Sequence, residues 1–302
     1  MPSLITQVKS KLFIHSTRKS MHALDGAHAS LLRGRSLDFE DLRKYEYGDQ
    51  VRDIDWRATA RLGTPLVKRS RATKMQTVLF VVDTGRSMTA LAADERPKRD
   101  LAIMATGALG ILTLRHGDDF TAIYGDADGT RRLAPGRSEG ALEHALRTIS
   151  TATDRSTAPN DRDALLAAVT RTVSRRMVVV IVTDAAPVTD QTERMLRRLR
   201  VQHDVLWLTV RDADPVLDHA TGRIRSDVDS LWDVPDFVQG DAAIVRELAA
   251  QSQAEAAQLA DTLQRLEIAH GVLESQEQAV PQLLRLLHSV LSRGNGRSHA
   301  RL

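Results

Sequence analysis

Two short stretches decide the fold of this chain: residues 76–83, QTVLFVVD, and residues 177–184, MVVVIVTD. Each is a continuous run of apolar and β-branched residues, and each ends in an aspartate. Runs of this kind are apolar on both faces, which is typical of strands buried inside a parallel sheet. A third run, residues 204–210 (DVLWLTV), repeats the pattern. We therefore predict three buried strands.

Segments with helical patterns separate these strands, at residues 97–115, 138–149, 163–174 and 189–201. Alternation of buried strands with helices predicts a doubly wound, mostly parallel α/β sheet covered on both faces. Weaker patterns predict a hairpin, a late strand and two closing helices, at residues 119–134, 270–274, 241–269 and 278–293. The domain organisation predicted is a basic N-terminal arm over residues 1–75 that packs on the sheet, the α/β domain over 76–293 and a flexible tail over 294–302.

Composition excludes several classes of protein. The 302 residues contain no cysteine, which excludes a disulfide scaffold, a thiolate zinc site and a cysteine nucleophile. Aromatic residues make up 4%, too few for the base-stacking surfaces of single-strand-binding proteins. Residues 1–75 carry 15 basic and 8 acidic side chains, a net charge of +7, whereas the whole chain carries +3. This excess permits contact with nucleic acid, an anionic membrane or an acidic protein.

The sequence shows neither an apolar run of about 20 residues nor a signal peptide. The longest uncharged stretch in the helical pattern, residues 101–114, is typical of a buried helix. We therefore expect no transmembrane segment and a cytoplasmic location.

Two of the predicted strands end in a carboxylate, and the carboxyl edge of a doubly wound sheet is where ligands bind. Asp83 opens the sequence D-T-G-R-S, which places Ser87 four residues further on, and Asp184 ends the second strand. Two carboxylates and a hydroxyl at one edge suit Mg²⁺, which prefers oxygen ligands. Alternatively, the two aspartates cap the following loops or helices through backbone N–H groups.

The pattern D-x-G-x-S with a second strand-end aspartate resembles the metal site of von Willebrand factor A domains, whose pattern is D-x-S-x-S with a later Thr and Asp. The resemblance implies Asp83, Ser87 and Asp184 as metal ligands. Gly85 stands where the family has its first Ser, and Arg162 stands where the Thr is expected. A cation beside the site disfavours a divalent ion. We expect a degenerate site that is metal-free or binds Mg²⁺ weakly, with no other cofactor.

A second resemblance lies upstream, in residues 34–61, GRSLDFEDLRKYEYGDQVRDIDWRATAR. This segment resembles the hallmark of the bacterial family called domain of unknown function 58, with the form F-x-x-x-R-x-Y-x-x-G-D-x-x-R-x-I-D-W-x-x-x-A-R. The matching residues are Phe39, Arg43, Tyr45, Gly48, Asp49, Arg52, Ile54, Asp55, Trp56, Ala60 and Arg61. The resemblance implies a partner, a MoxR-type AAA+ ATPase, and a protein-binding role for the A-type domain. It places the chain in a short branch without membrane helices.

The hallmark has two interpretations. In the first, its alternating charges form an internal network of ion pairs and hydrogen bonds, with a turn at Gly48 and Trp56 buried. In the second, its Arg and Tyr side chains form a docking surface for a partner.

Other catalytic and binding motifs are absent from the sequence. It contains no P-loop, no G-x-S-x-G elbow and no H-E-x-x-H. Asp126 and Asp128 have the spacing of a calcium loop without its later acidic positions, so we predict a hairpin turn there.

Three functions remain open at this point. The first, which we favour, is a non-enzymatic adaptor in protein or complex maturation or stress response, with no small-molecule substrate. Its partner-binding surface would comprise Gly85, Arg86 and Arg162 beside the degenerate metal site. The second is binding to nucleic acid or an anionic membrane through the basic arm, although the interspersed acidic residues count against nucleic acid. The third is a metal-dependent hydrolase using Asp83 and Asp184, which lacks an identifiable base or nucleophile.

Overall fold

A computed structural model describes residues 3–15, 41–47, 49, 51, 54–69, 76–213, 226–228, 233 and 241–296. The chain divides into two compact units, one of residues 1–32 with 76–302 and the other of residues 33–75. The predicted arm of residues 1–75 is therefore split between the units. Its first helix, α1 (Leu4–His15), belongs to the larger unit.

The larger unit contains a six-stranded sheet. Its strands are β3 (Thr77–Asp83), β4 (Asp119–Asp126), β5 (Gly129–Arg132), β6 (Val178–Asp184), β7 (Asp204–Val210) and β8 (Ala269–Leu273). Their spatial order is β5-β4-β3-β6-β7-β8, and every neighbouring pair is parallel except the β4–β5 hairpin. The predicted doubly wound, mostly parallel α/β fold is confirmed.

Seven helices of the larger unit are described. They are α1, α3 (Lys98–Arg115), α4 (Glu139–Arg155), α5 (Arg162–Thr172), α6 (Asp190–Gln202), α7 (Ala242–Arg265) and α8 (Gln276–Gly296). A short 3₁₀ helix, Arg86–Thr89, follows β3. Helix α8 continues into the predicted tail as far as Gly296, and residues 297–302 lie outside the described residues.

Alternate side chains of β3 enter two separate cores. Val78, Phe80 and Val82 pack with buried residues of α1, α3, α4 and α8. Leu79 and Val81 pack on the opposite face with residues of α5, α6 and α7. Because side chains of a strand alternate between faces, a strand that is apolar throughout must be covered on both sides.

The smaller unit contains an antiparallel pair, β1 (Asp41–Lys44) with β2 (Leu66–Arg69), and the helix α2 (Trp56–Leu62). Asp55 caps α2, since its Oδ1 accepts from the backbone N–H groups of Arg57 and Ala58 at 2.9 and 3.0 Å. Gly63 ends the helix with a φ of 69°, the left-handed conformation that glycine adopts most easily. Ala58, Leu66 and Val67 are buried.

Candidate functional site

The site predicted at the carboxyl edge of the sheet is formed where β3 and β6 lie side by side. β3 pairs with β4 on one side and with β6 on the other, so the chain changes winding direction between β3 and β6. Such switch points are where doubly wound folds leave a crevice for ligands. Asp83 and Asp184 end these two adjacent strands, and Ser87 Oγ donates a hydrogen bond of 2.6 Å to Asp184 Oδ2.

Asp83 is buried, with 1% of its surface exposed. Its Oδ1 accepts from the Gly85 N–H at 3.1 Å, and its Oδ2 accepts from Thr183 Oγ1 at 3.1 Å. Burial, together with the charge of nearby Asp184, raises the pKa of Asp83 to about 7, although these hydrogen bonds act in the opposite direction. Asp83 is therefore an internal group that carries a proton for part of the time at neutral pH.

Asn160 is the residue of this site that sequence reasoning missed. It lies in the loop before α5, and its Oδ1 accepts from the Ser87 N–H at 3.1 Å. Its Nδ2 is buried and meets no acceptor at ordinary hydrogen-bond geometry, but the Asn160 amide lies close enough to Asp83 to lower the pKa of that carboxyl. The signal in the sequence was its position directly before Asp161, the residue that caps α5 by accepting from the Ala164 N–H.

Asn160 also explains why a glycine occupies position 85. A Cβ atom built on Gly85 would lie 2.3 Å from Asn160 Oδ1 and 2.6 Å from Asn160 Cα. Both distances are far below a van der Waals contact, so a serine here requires the loop to move. The amide of Asn160 thus fills the space in which the resemblance to A-type domains expects a hydroxyl.

Arg162 stands where A-type domains are expected to have a Thr, and its side chain points into the protein. It is buried at the start of α5, and its guanidinium donates to the carbonyl oxygens of Ala186, at 3.0 Å, and Pro187. The same guanidinium lies 5.6 Å from the centre of the Trp207 ring. Burial lowers the pKa of Arg162, while the charge of Asp184 opposes this shift. Its two terminal nitrogens bind the chain's own loop after β6, and its buried Nε has no hydrogen-bond partner among the described residues.

The three residues predicted to face a partner therefore differ in exposure. Gly85 and Arg162 are buried, whereas Arg86 is partly exposed at the start of the 3₁₀ helix. The Arg86 N–H donates to the Ala158 carbonyl at 2.8 Å, which fixes this turn against the loop before α5. Arg86 is the predicted surface residue that a partner can reach.

The residues present do not fit a resident divalent cation well. Asp83, Ser87 and Asp184 supply oxygen atoms, but Gly85 supplies none, and Ser87 Oγ already donates to Asp184. The positive charge of Arg162 interacts with both carboxylates. Within the described ranges, no group of three or more His, Cys, Asp or Glu side chains is arranged to hold a metal ion.

The hallmark residues of the smaller unit are described in part. Phe39, Gly48 and Arg52 lie outside the described residues, and only the backbone of Arg43 is described, paired with Val67. Asp49 closes a turn, because its Oδ2 accepts from the Glu46 N–H at 2.9 Å. Tyr45 is 38% exposed and Trp56 is 65% exposed, so the burial of Trp56 that belongs to the first interpretation of the hallmark is not found. Arg61 is exposed in the last turn of α2.

The hairpin predicted at Asp126 and Asp128 forms between β4 and β5. Asp126 Oδ1 accepts from the Asp128 N–H at 3.0 Å, which stabilises the turn.

The fold and the strand-end residues together define a von Willebrand factor A-like α/β protein. The family model described as "Protein of unknown function DUF58" matches residues 41–222, and the chain belongs to this family. It is 31% identical over 230 residues to uncharacterized proteins of Mycobacterium tuberculosis and Mycobacterium bovis, covering 74% of this chain and 67% of each relative.

Two solved structures are similar to this chain. An aerotolerance-related membrane protein from Bacteroides fragilis is 17% identical with a TM-score of 0.38, covering 64% of this chain and 98% of its own. A von Willebrand factor type A protein from Catenulispora acidiphila is 12% identical with a TM-score of 0.38, covering 72% of this chain and 43% of its own. In the part of this chain that the structure describes, no helix is both long and apolar enough to cross a bilayer.

Proposed function

We propose that this protein is a non-enzymatic, protein-binding adaptor that uses the carboxyl edge of its sheet as the docking surface. The proposal rests on which polar side chains at this edge are buried, which are hydrogen-bonded and which are exposed. Asp83 is buried, and Ser87 and Asp184 are hydrogen-bonded to each other, while Arg86 stands partly exposed at the rim. Arginine is the residue type that most often anchors a protein interface through a partner's carboxylate.

The partner we propose is a MoxR-type AAA+ ATPase, as the resemblance of the hallmark segment implies. Protein or complex maturation, or a stress response, in the cytoplasm is the setting that follows from this partner. Docking in this proposal is metal-independent, because Arg86 would pair directly with an acidic side chain of the ATPase. The residues around Asp83 support this view, because glycine at position 85 offers no hydroxyl oxygen to a metal ion.

The test compares Arg86→Glu with Arg194→Glu, a change of the same charge at an exposed position on α6. Each tagged protein is used to capture partners from native lysate, with and without ATP and Mg²⁺, after circular dichroism has confirmed folding. We expect the wild type and Arg194→Glu to recover an AAA+ ATPase and Arg86→Glu to lose it. Equal recovery by all three proteins, or recovery of nucleic acid in place of an ATPase, contradicts the proposal.

Calorimetric titration with Mg²⁺ and Mn²⁺ tests the metal-independent part separately. We expect no binding heat for the wild type and no difference for Asp83→Ala. A saturable heat that Asp83→Ala abolishes would show that a metal ion takes part in docking.

A further inference from the structure

A polar cleft lies beside the switch-point site, between the β4–β5 hairpin and the second half of α4. Its volume is about 840 Å³, within the range of small-molecule sites. Thr84, the residue directly after Asp83, and Asp126, Asp128 and Gly129 of the hairpin turn belong to its lining. The cleft therefore opens at the carboxyl ends of β3 and β4, the edge at which ligands of doubly wound sheets bind.

Three arginines from two elements line this cleft. Arg131 comes from β5, and Arg147 and Arg155 come from α4. Arg131 and Arg155 are exposed and form neither an ion pair nor a side-chain hydrogen bond with any residue that the structure describes. Their guanidinium groups are thus available as donors to a ligand from two different elements of the lining.

Arg147 is held in place by its own helix. Its Nε donates to Glu143 Oε1 at 2.7 Å, one turn earlier in α4. Glu143 is itself fixed by the N-terminus of α1, accepting from the backbone N–H groups of Leu4 and Ile5. An arginine fixed in this way loses less side-chain entropy on binding a ligand than a free one.

Two aspartates, Asp126 and Asp128, also line the cleft, so its three arginines leave a formal excess of one positive charge. Asp126 accepts from the Asp128 N–H through Oδ1 and from Ser156 Oγ through Oδ2, at 3.0 and 2.6 Å. Both of its oxygens are thus engaged within the chain. The hydroxyl groups of Thr130, Thr151 and Thr157 add further donors to the lining.

We propose that this cleft binds a phosphate-bearing ligand. Guanidinium groups form paired hydrogen bonds with phosphate, and hydroxyl groups supplement them, so the lining matches a phosphoryl group. The cleft is larger than a phosphate ion, which indicates that the phosphate belongs to a larger molecule, either a nucleotide or a phosphorylated segment of a protein. This site goes beyond the proposed function and does not depend on it, because its arginines are distinct from Arg86.

The test measures binding of three probes by calorimetry in buffer of physiological salt: pyrophosphate, ADP and a short phosphothreonine peptide. The cleft variant is Arg131→Gln with Arg155→Gln. The matched control is Arg194→Gln with Arg198→Gln, which removes the same charge from an exposed face of α6. We expect at least one probe to bind the wild type and the control alike, and the cleft variant to bind about tenfold to a hundredfold more weakly.

The relative affinities of the three probes show which kind of molecule carries the phosphate. Tighter binding of ADP than of pyrophosphate and peptide indicates a nucleotide, and tighter binding of the peptide indicates a phosphorylated protein. Amide shifts at Gly125 and Gly129, which line the cleft, would place the probe there. The proposal is overturned if no probe saturates the wild type at roughly 1 mM, or if the control variant is weakened as much as the cleft variant.

Discussion

Asp83 shows how the neighbours of one residue change what a familiar motif does. An aspartate at the end of a buried strand suggests a metal ligand, but here both its oxygens accept hydrogen bonds from Gly85 and Thr183. Burial and the charge of Asp184 raise its pKa to about 7. A proton on Asp83 relieves the repulsion between the two carboxylates, which is the task that a cation would otherwise perform.

We predict that replacing the Asp83 carboxyl by an amide changes how the unfolding free energy depends on pH. The pKa of Asp83 is higher in the folded than in the unfolded protein, so its contribution to stability is full below the unfolded value of 3.8 and is lost as the pH rises to about 7. The amide of Asp83→Asn does not ionise, so this loss of stability does not occur in the variant. Between pH 5 and pH 8 we expect the unfolding free energy of the wild type to fall by about 2.5 kcal/mol relative to the variant.

Urea unfolding at several pH values measures this difference. The control is Asp261→Asn, on an exposed position of α7, which should follow the wild type. Curves for the wild type and Asp83→Asn that run parallel between pH 5 and pH 8 would show that the pKa of Asp83 is not raised.

At the scale of elements, one carboxylate fixes the N-terminus of α1. Glu143 of α4 accepts from Ser3 Oγ at 2.9 Å and from the Leu4 and Ile5 N–H groups at 3.1 and 2.8 Å. The first N–H groups of a helix have no partner within it, and an acidic side chain there also interacts favourably with the helix dipole. Burial raises the pKa of Glu143, but these bonds outweigh it, so the pKa lies below its usual value.

Glu143→Gln should therefore loosen α1. We expect a loss of about 1–3 kcal/mol in unfolding free energy and faster amide hydrogen exchange in α1, because a charged acceptor of several bonds is lost. Since the folded pKa of Glu143 is lowered, the difference from the wild type should disappear as the pH falls below the usual range for glutamate.

The matched control for this prediction is Glu139→Gln. Glu139 lies on the same helix and also contacts α1, through Lys9 at 2.7 Å, but this ion pair is exposed. Exposed pairs contribute at most about 1 kcal/mol. Equal exchange rates in the two variants would contradict the role assigned to Glu143.

At the scale of the whole molecule, one core joins the two ends of the chain. Ile5, Val8 and Leu12 of α1 are buried in the same cluster as Leu287 of α8. Gly107 of α3 permits this packing, since a Cβ there would lie 2.8 Å from Val8 Cγ2. The helix at the start of the chain is therefore a structural part of the sheet unit.

Deletion of residues 1–15 should destabilise this unit as a whole. Loss of three buried aliphatic side chains costs about 5 kcal/mol, a large share of the roughly 5–15 kcal/mol that stabilises a typical domain. Thermal unfolding followed by circular dichroism measures the effect. Phe13→Ser, which changes an 80% exposed side chain of the same helix, is the control and should leave the midpoint nearly unchanged. A truncated protein that unfolds at the wild-type temperature would contradict this account.

The sequence by itself determined the sheet and its edge. Short continuous runs rich in β-branched residues favour strands covered on both faces, and parallel strands of one sheet that end in aspartate bring those carboxylates to one edge. The fold class and the placement of Asp83 and Asp184 at one edge follow from residues close together in the chain, whereas the pairing of β3 with β6 came from the structure. Local patterns of this kind are readable because side-chain periodicity depends on the backbone conformation of a few residues.

Only the tertiary structure decided which of these side chains are buried and which distant segments they contact. It placed Asn160 against Gly85, turned Arg162 inward to the loop after β6, exposed Trp56 and joined Glu143 to the start of α1. Each of these contacts except the exposure of Trp56 joins residues far apart in the chain, and no periodic pattern encodes such a contact. The physical reason is that packing and burial depend on which segments meet in space, so the same arginine or glutamate is a surface group in one arrangement and an internal one in another.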